Sequence, residues 1–142
     1  MENETIIFKN GIDKNLLKSA FAKILGIDEK EIQLVKAINE EREIDFKKIL
    51  IVQYYLFEHG DFKFEITPLI SQTTRANNYT QNYKLYENLM KEIRCDLLIP
   101  GNYNDLSESY SIILGINGSR KEVYTEQPEE YGEKGINILK EK

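Results

Sequence analysis

The spacing of hydrophobic and polar positions predicts a strand, a helix and a second strand in the first third of the chain. The stretch "ETIIF" predicts a short opening strand, and "NGIDKNLLKSAFAKILG" predicts a helix because its apolar residues recur every three or four positions. Asp13 or Asn10 can cap its beginning, and Gly26 can end it. The stretch "IDEKEIQLVKAI" fits either a second short helix capped by Asp28 or a strand, and its apolar alternation favours the strand.

The middle of the chain predicts two consecutive strands. A charged turn, "NEEREID", leads into residues 46–57, which are apolar almost throughout, as is typical of a strand that is covered on both faces. The following "DFKFEITPLI" alternates, so that Phe62, Phe64 and Ile66 are expected on one face.

His59, the only histidine of the chain, lies between these two strands and is followed by Gly60. A two-residue turn at this pair requires positive φ, which glycine adopts freely and histidine more often than most residues. The sequence therefore favours a role in the turn for His59, and a catalytic role is the alternative. The predicted cross-strand pairs are Phe57 with Phe62, Leu56 with Lys63, Tyr55 with Phe64 and Tyr54 with Glu65.

The second half predicts another helix and four strands. The helix covers "YTQNYKLYENLMKEI", and the strands are "CDLLIP", the two arms of "YSIILGINGSRKEVYTE" and "GINIL". The Asn117-Gly118 pair is a strong hairpin signal. The predicted order is β-α-β-β-β-α-β-β-β-β. Because two helices cannot cover both faces of so many strands, we expect an α+β fold: one mostly antiparallel sheet with both helices on one face and a partly open second face.

Composition places the chain among ordinary globular proteins. Its 142 residues predict a single domain over residues 1–142, and 41% of them are hydrophobic. The N-terminal residues lack the features of a signal peptide, and no apolar run is long enough to span a membrane. The single cysteine, Cys95, excludes an intrachain disulfide and is expected to be a buried small hydrophobe. These features predict a cytoplasmic protein.

Catalytic and cofactor motifs are missing from the sequence. One histidine and one cysteine far apart make a zinc site unfavourable, and no calcium-binding loop, phosphate-binding glycine loop or nucleophile elbow is present. We therefore expect no catalytic residue, metal or cofactor.

Charge is concentrated in one segment. The chain carries a net charge of −5, which argues against direct nucleic-acid binding. Residues 122–133, called here the acidic segment, contain five glutamates and no lysine or arginine, so this segment carries −5. It is either a solvated loop or a surface for a basic partner.

The polar stretches 71–83 and 101–110 are rich in Tyr, Asn, Ser and Thr, as adaptable binding loops are, although they also fit ordinary loops. The predicted partner-binding residues are Glu126, Glu129, Glu130, Tyr131, Glu133, Tyr79 and Tyr103.

A small acidic α+β chain without a catalytic motif resembles the immunity proteins of bacterial toxin–immunity systems, such as those of contact-dependent growth inhibition. The resemblance covers the general character of the whole chain and includes no motif, so it assigns no residue. The resemblance implies that the chain neutralises a basic toxin, such as a nuclease, by binding it through an acidic surface. Two alternatives remain at this stage. One is a small enzyme or ligand-binding domain that uses the open sheet face, and the other is a homo-oligomeric module, for which an exposed face through Leu50, Val52, Tyr54 and Leu56 would support a homodimer.

Overall fold

The computed structural model describes residues 5–37, 44–45, 47–70, 84–100, 111–126 and 135–141. These residues form two α-helices and eight strands in the order expected from the sequence. The elements are β1 (Ile6–Phe8), α1 (Lys14–Leu25), β2 (Ile32–Lys36), β3 (Leu50–Leu56), β4 (Phe64–Ile70), α2 (Lys84–Ile93), β5 (Leu97–Pro100), β6 (Ser111–Leu114), β7 (Arg120–Thr125) and β8 (Ile138–Glu141).

The described strands form one sheet in the order β2-β3-β4-β1-β5-β6-β7-β8. All neighbouring pairs are antiparallel except β2 and β3, which run parallel. The prediction of an α+β chain with a mostly antiparallel sheet is confirmed. The parallel pair requires the chain to return between β2 and β3 to the end of the sheet at which β2 begins, and most of the predicted charged turn "NEEREID" lies outside the described residues.

The sheet curls until two distant segments meet. Phe62, just before β4, forms an antiparallel bridge with Ile136, just before β8. Each backbone N–H of this pair donates to the carbonyl of the other at 3.0 Å. Strands β1, β5, β6 and β7 separate β4 from β8 in the sheet, so this contact requires strong curvature.

The larger hydrophobic cluster combines both helices with alternate strand residues. Asp13 caps α1 by accepting from the Leu16 N–H at 3.0 Å, and Gly26 ends the helix in the left-handed conformation. The buried helical residues of the cluster are Leu17, Ala20, Phe21, Leu25, Leu85, Tyr86, Leu89, Met90 and Ile93. They pack with Ile6, Phe8, Ile32, Leu50, Val52, Phe64, Ile66, Leu97, Ile99, Ile112 and Leu114 of the strands and with Cys95, whose expected burial is confirmed.

A second cluster occupies the other face of the sheet. Ile7 lies between Ile6 and Phe8 of the first cluster, and Leu98 lies between Leu97 and Ile99, so alternation directs these two residues to the opposite side. The buried members of the second cluster are Ile7, Phe62, Leu98, Val123 and Ile136. The second face is therefore closed at its centre, whereas Gln53, Tyr55 and Glu65 are only half-buried.

The hairpin at His59 differs from its predicted register by one residue. Leu56 pairs with Phe64, Tyr55 with Glu65 and Tyr54 with Ile66. The pairing continues to Phe57, whose N–H donates to the Lys63 carbonyl at 2.7 Å, so five residues rather than two connect the strands. The prediction that Phe62 and Phe64 share a face is wrong, because they belong to different clusters. The predicted turn is also wrong, since Gly60 has positive φ but His59 does not.

Two other local predictions have clear outcomes. The Asp28 side chain caps a single 3₁₀ turn, Glu29–Glu31, and strand β2 follows directly. The helix capped by Asp28 and the strand, which were the two alternatives for "IDEKEIQLVKAI", therefore each describe a part of this stretch. Asn117-Gly118 forms the predicted hairpin between β6 and β7, in which the Gly118 N–H donates to the Gly115 carbonyl at 2.9 Å.

The apolar surface expected to support a homodimer is not exposed. Leu50 and Val52 are fully buried in the larger cluster, against which Tyr54 also packs. Leu56 alone of the four predicted residues is exposed. This surface is therefore largely part of the core.

Candidate functional site

The acidic segment begins within β7, and its described residues, 122–126, are fixed to the sheet. Glu122 is exposed on β7, opposite Ile112 of β6. Glu126 follows β7 directly, and its N–H donates to the Asn137 carbonyl at 3.0 Å. The Asn137 side-chain Nδ2 donates in turn to Glu126 Oε2 at 3.2 Å. These contacts hold the first glutamates of the segment against the residues that lead into β8.

Asn137 also connects the acidic segment to the β3–β4 hairpin. Its Oδ1 accepts from the Asp61 N–H at 3.1 Å, while Asp61 Oδ2 accepts from the Ile138 N–H at 2.8 Å. Glu126, Asn137 and Asp61 thus form a continuous hydrogen-bonded chain across elements that are far apart in sequence.

A close contact between Gly60 and Gly135 completes this junction. The Gly135 N–H donates to the His59 carbonyl at 2.7 Å. A Cβ at position 135 would lie 2.4 Å from the Phe62 carbonyl oxygen, and one at position 60 would lie 3.2 Å from the Gly135 backbone. Neither position has room for a side chain unless the backbone moves.

Of the seven predicted partner-binding residues, one, Glu126, lies in the part of the chain that the structure describes. Glu126 lies in the hydrogen-bonded chain with Asn137 and Asp61. The other six predicted partner-binding residues lie outside the described residues: Glu129, Glu130, Tyr131, Glu133, Tyr79 and Tyr103. The His59 side chain is exposed, and the backbone carbonyl of His59 accepts the hydrogen bond from the Gly135 N–H.

A cleft of about 550 Å³ opens beside this junction. It lies between the β3–β4 hairpin, the β6–β7 turn and the start of β8. Its apolar lining comes from Phe62, Ile113, Ile116 and Ile138, and its charged lining comes from Lys9, Asp61, Asp96 and Lys121. His59 does not line it. The cleft therefore combines an apolar floor with polar groups of both signs.

Backbone contacts orient the two carboxylates of the cleft. Asp61 accepts from the Ile138 N–H, as described above, and Asp96 Oδ1 accepts from the Ile116 N–H at 3.0 Å. Lys121 pairs with Glu141 outside the lining at 3.2 Å. When Glu141 is counted, three carboxylates accompany two ammonium groups, so the local charge is slightly negative.

The sequence analysis did not identify this cleft. Asp61 and Asp96 each stand just before a strand, which is a weak signal, because carboxylates commonly cap turns. The end of β1 brings them together, because the Lys63 N–H donates to the Phe8 carbonyl at 3.1 Å and the Lys9 N–H donates to the Asp96 carbonyl at 3.0 Å. The Phe62–Ile136 bridge brings in Ile138 from a segment more than 70 positions away.

Neither metal ligands nor a membrane-spanning helix occur among the residues described. Within those ranges, no three His, Cys, Asp or Glu side chains are grouped so that they could hold a metal ion. In the same part of the chain, neither helix has the length and apolar character needed to cross a membrane.

Comparison of the chain with protein-family models, with curated proteins and with solved structures finds no match.

Proposed function

We propose that this chain is a protein-binding module that acts in the bacterial cytoplasm as an immunity protein, neutralising a basic toxin, such as a nuclease, through the acidic segment. The observation that carries this proposal is the charge of −5 in residues 122–133, a segment in which Glu126 is hydrogen-bonded to Asn137. We further infer that both helices lie on one face of the sheet, because α1 and α2 contribute to the same cluster of alternate strand residues.

Two physical effects support this function. A concentrated negative charge attracts a positively charged partner over roughly one Debye length, about 8–10 Å in physiological salt. This attraction raises the association rate more than it strengthens the final complex. The hydrogen bond between Asn137 and Glu126 also reduces the conformational entropy that this described start of the segment would lose on binding.

The test is charge removal within the segment. In the variant, Glu126, Glu129, Glu130 and Glu133 are replaced together by Gln, and association is measured with the toxin candidate encoded beside the gene of this chain. We expect the association rate at low salt to fall by about tenfold or more, since electrostatic steering raises such rates by factors of about 10–1,000.

A matched control replaces four glutamates outside the segment, Glu29, Glu31, Glu58 and Glu87, by Gln. It changes the net charge equally, so a specific acidic surface predicts a much smaller fall in rate. Equal rates for the two variants and the native chain would remove the acidic segment from the proposal.

The cleft favours a second candidate function, a small-ligand-binding domain. Its volume of about 550 Å³ lies within the usual range of ligand sites, and its apolar floor with a few oriented polar groups is typical of them. A ligand screen by thermal shift tests this function. A ligand that raises the melting temperature of the native chain, but not that of an Ile113→Trp variant with a filled cleft, would support it.

A further inference from the structure

We propose that the cleft beside Asp61 and Asp96 receives an arginine side chain from the basic surface of the partner. This inference rests on the protein-binding function proposed above and adds the anchoring residue that the cleft selects. Arginine is prominent among the residues that dominate binding energy at protein interfaces.

The lining of the cleft matches both parts of an arginine side chain. Phe62, Ile113 and Ile138 provide an apolar floor for the methylene stem, which long charged side chains bury readily. Asp61 and Asp96 provide carboxylates, which bind the planar guanidinium group through paired hydrogen bonds.

The carboxylates are already oriented by the fold. Each accepts a hydrogen bond from one backbone N–H, of Ile138 or of Ile116, at 2.8 or 3.0 Å. A carboxylate accepts several hydrogen bonds, so one backbone contact leaves capacity for a guanidinium group. Preorganised acceptors lose little entropy on binding, which increases affinity.

Hydrogen bonds connect the cleft to Glu126, the last residue of the acidic segment that the structure describes. Asp61 lines the cleft, and its backbone N–H donates to Asn137, whose side chain also contacts Glu126. A basic partner attracted by the acidic segment would therefore arrive beside the cleft. Lys9 opposes a cationic ligand, and this opposition gives the proposal a signature that can be measured.

The probe is a short blocked peptide with one central arginine flanked by glycines. It is titrated into the isotope-labelled full chain, and amide chemical shifts are followed. We expect the largest shifts at Asp61, Ile116 and Ile138. A peptide with citrulline, the uncharged analogue of arginine, should produce few shifts, because it cannot form the ion pairs.

Three variants sharpen the test. Asp61→Asn with Asp96→Asn keeps an oxygen acceptor for each backbone N–H, so the fold is retained, and the arginine peptide should bind about tenfold more weakly. The control, Asp28→Asn with Asp45→Asn, removes two charges that also cap backbone N–H groups, but outside the cleft, and should bind nearly as the native chain does. Lys9→Gln should strengthen binding.

The outcomes separate this inference from the proposed function. Shifts confined to residues 122–133 would overturn the arginine site and leave the acidic segment as the binding surface. Shifts nowhere, equal binding of the citrulline peptide, or weaker binding by Lys9→Gln would each overturn the arginine site. Those results would leave the association test on the acidic segment as the measure of the proposed function.

Discussion

Lys14, at the beginning of α1, lies over the aromatic ring of Tyr54 of β3. The Lys14 Nζ lies 4.9 Å from the centre of the Tyr54 ring. A hydrogen bond to Tyr54, followed by electrostatic attraction to it, raises the pKa of Lys14 above the ordinary 10.5. Because the folded pKa is the higher one, the pair stabilises the protein fully below pH 10.5, and this stabilisation disappears as the pH rises through the raised pKa.

We expect the Tyr54→Phe variant to lower the pKa of Lys14 toward its ordinary value, since phenylalanine keeps the ring but lacks the hydroxyl. An NMR titration of the Lys14 side chain measures the change. Tyr55→Phe is the control, because Tyr55 points to the other face of β3. The same Lys14 pKa in all three proteins would contradict the assignment to Tyr54.

The contact that His59 makes with Gly135 does not depend on the imidazole of His59. Its side chain is exposed, and the contact to Gly135 uses its backbone carbonyl, which any residue would supply. We expect His59→Asn to change the free energy of unfolding by less than about 0.5 kcal/mol, as surface substitutions usually do. Association with the partner should also be unchanged, and a loss of function in a folded His59→Asn protein would restore a chemical role for the imidazole.

At the scale of elements, patterns local in sequence were predicted well, and long-range pairings were not. The periodicity that predicted α1 and the signal at Asn117-Gly118 depend on neighbouring residues, and both are confirmed. The hairpin register failed because Phe62 pairs with Ile136 across the sheet rather than with Phe57. Aromatic pairing does occur, but diagonally: Tyr54 stacks on Phe64 with ring centres 6.1 Å apart.

The glycine contact between the hairpin and the start of β8 makes a sharp prediction. A Cβ in Gly135→Ala would clash with the Phe62 carbonyl oxygen, and backbone must move to relieve this contact. We expect the variant to lose about 1–3 kcal/mol of unfolding free energy, as overpacked sites do. Chemical denaturation measures the loss.

Gly11→Ala is the matched control, because its Cβ would meet only the Leu56 side chain at 3.4 Å. Alanine there should be neutral or slightly stabilising, since it restricts the unfolded chain. Similar stabilities of the two variants would show that the hairpin and the start of β8 are not held as closely as the structure indicates.

At the scale of the whole molecule, the cleft was beyond the reach of the sequence because five separated segments line it, one of which is Lys9, directly after β1. Asp61 and Phe62 come from the hairpin, Asp96 precedes β5, Ile113 belongs to β6 and Ile138 begins β8. Each has an ordinary local explanation as a turn cap or a core residue. Neighbouring strands bring Asp61, Asp96 and Ile113 to one edge, whereas the curvature of the sheet adds Ile138 of β8, and curvature arises from the sum of many strand contacts.

The two faces of the sheet divide the described core into two clusters with different members. In the described chain, α1 and α2 contribute residues only to the larger cluster, whereas Val123 of β7 belongs only to the smaller one. Proteins often open locally in such units, with free energies below that of global unfolding. We therefore expect Phe62→Ala to speed amide hydrogen exchange at Val123 and Ile138 more than in α1 and α2.

Leu89→Ala, in the larger cluster, is the reciprocal variant and should speed exchange most within α1 and α2. Both substitutions remove a large buried side chain, at a cost of about 2–5 kcal/mol, so their overall destabilisation is comparable. Hydrogen exchange followed residue by residue distinguishes the patterns. If both variants accelerate exchange equally at all positions, the two clusters unfold as one cooperative unit, and the junction at Asn137 cannot open without the helical part of the fold.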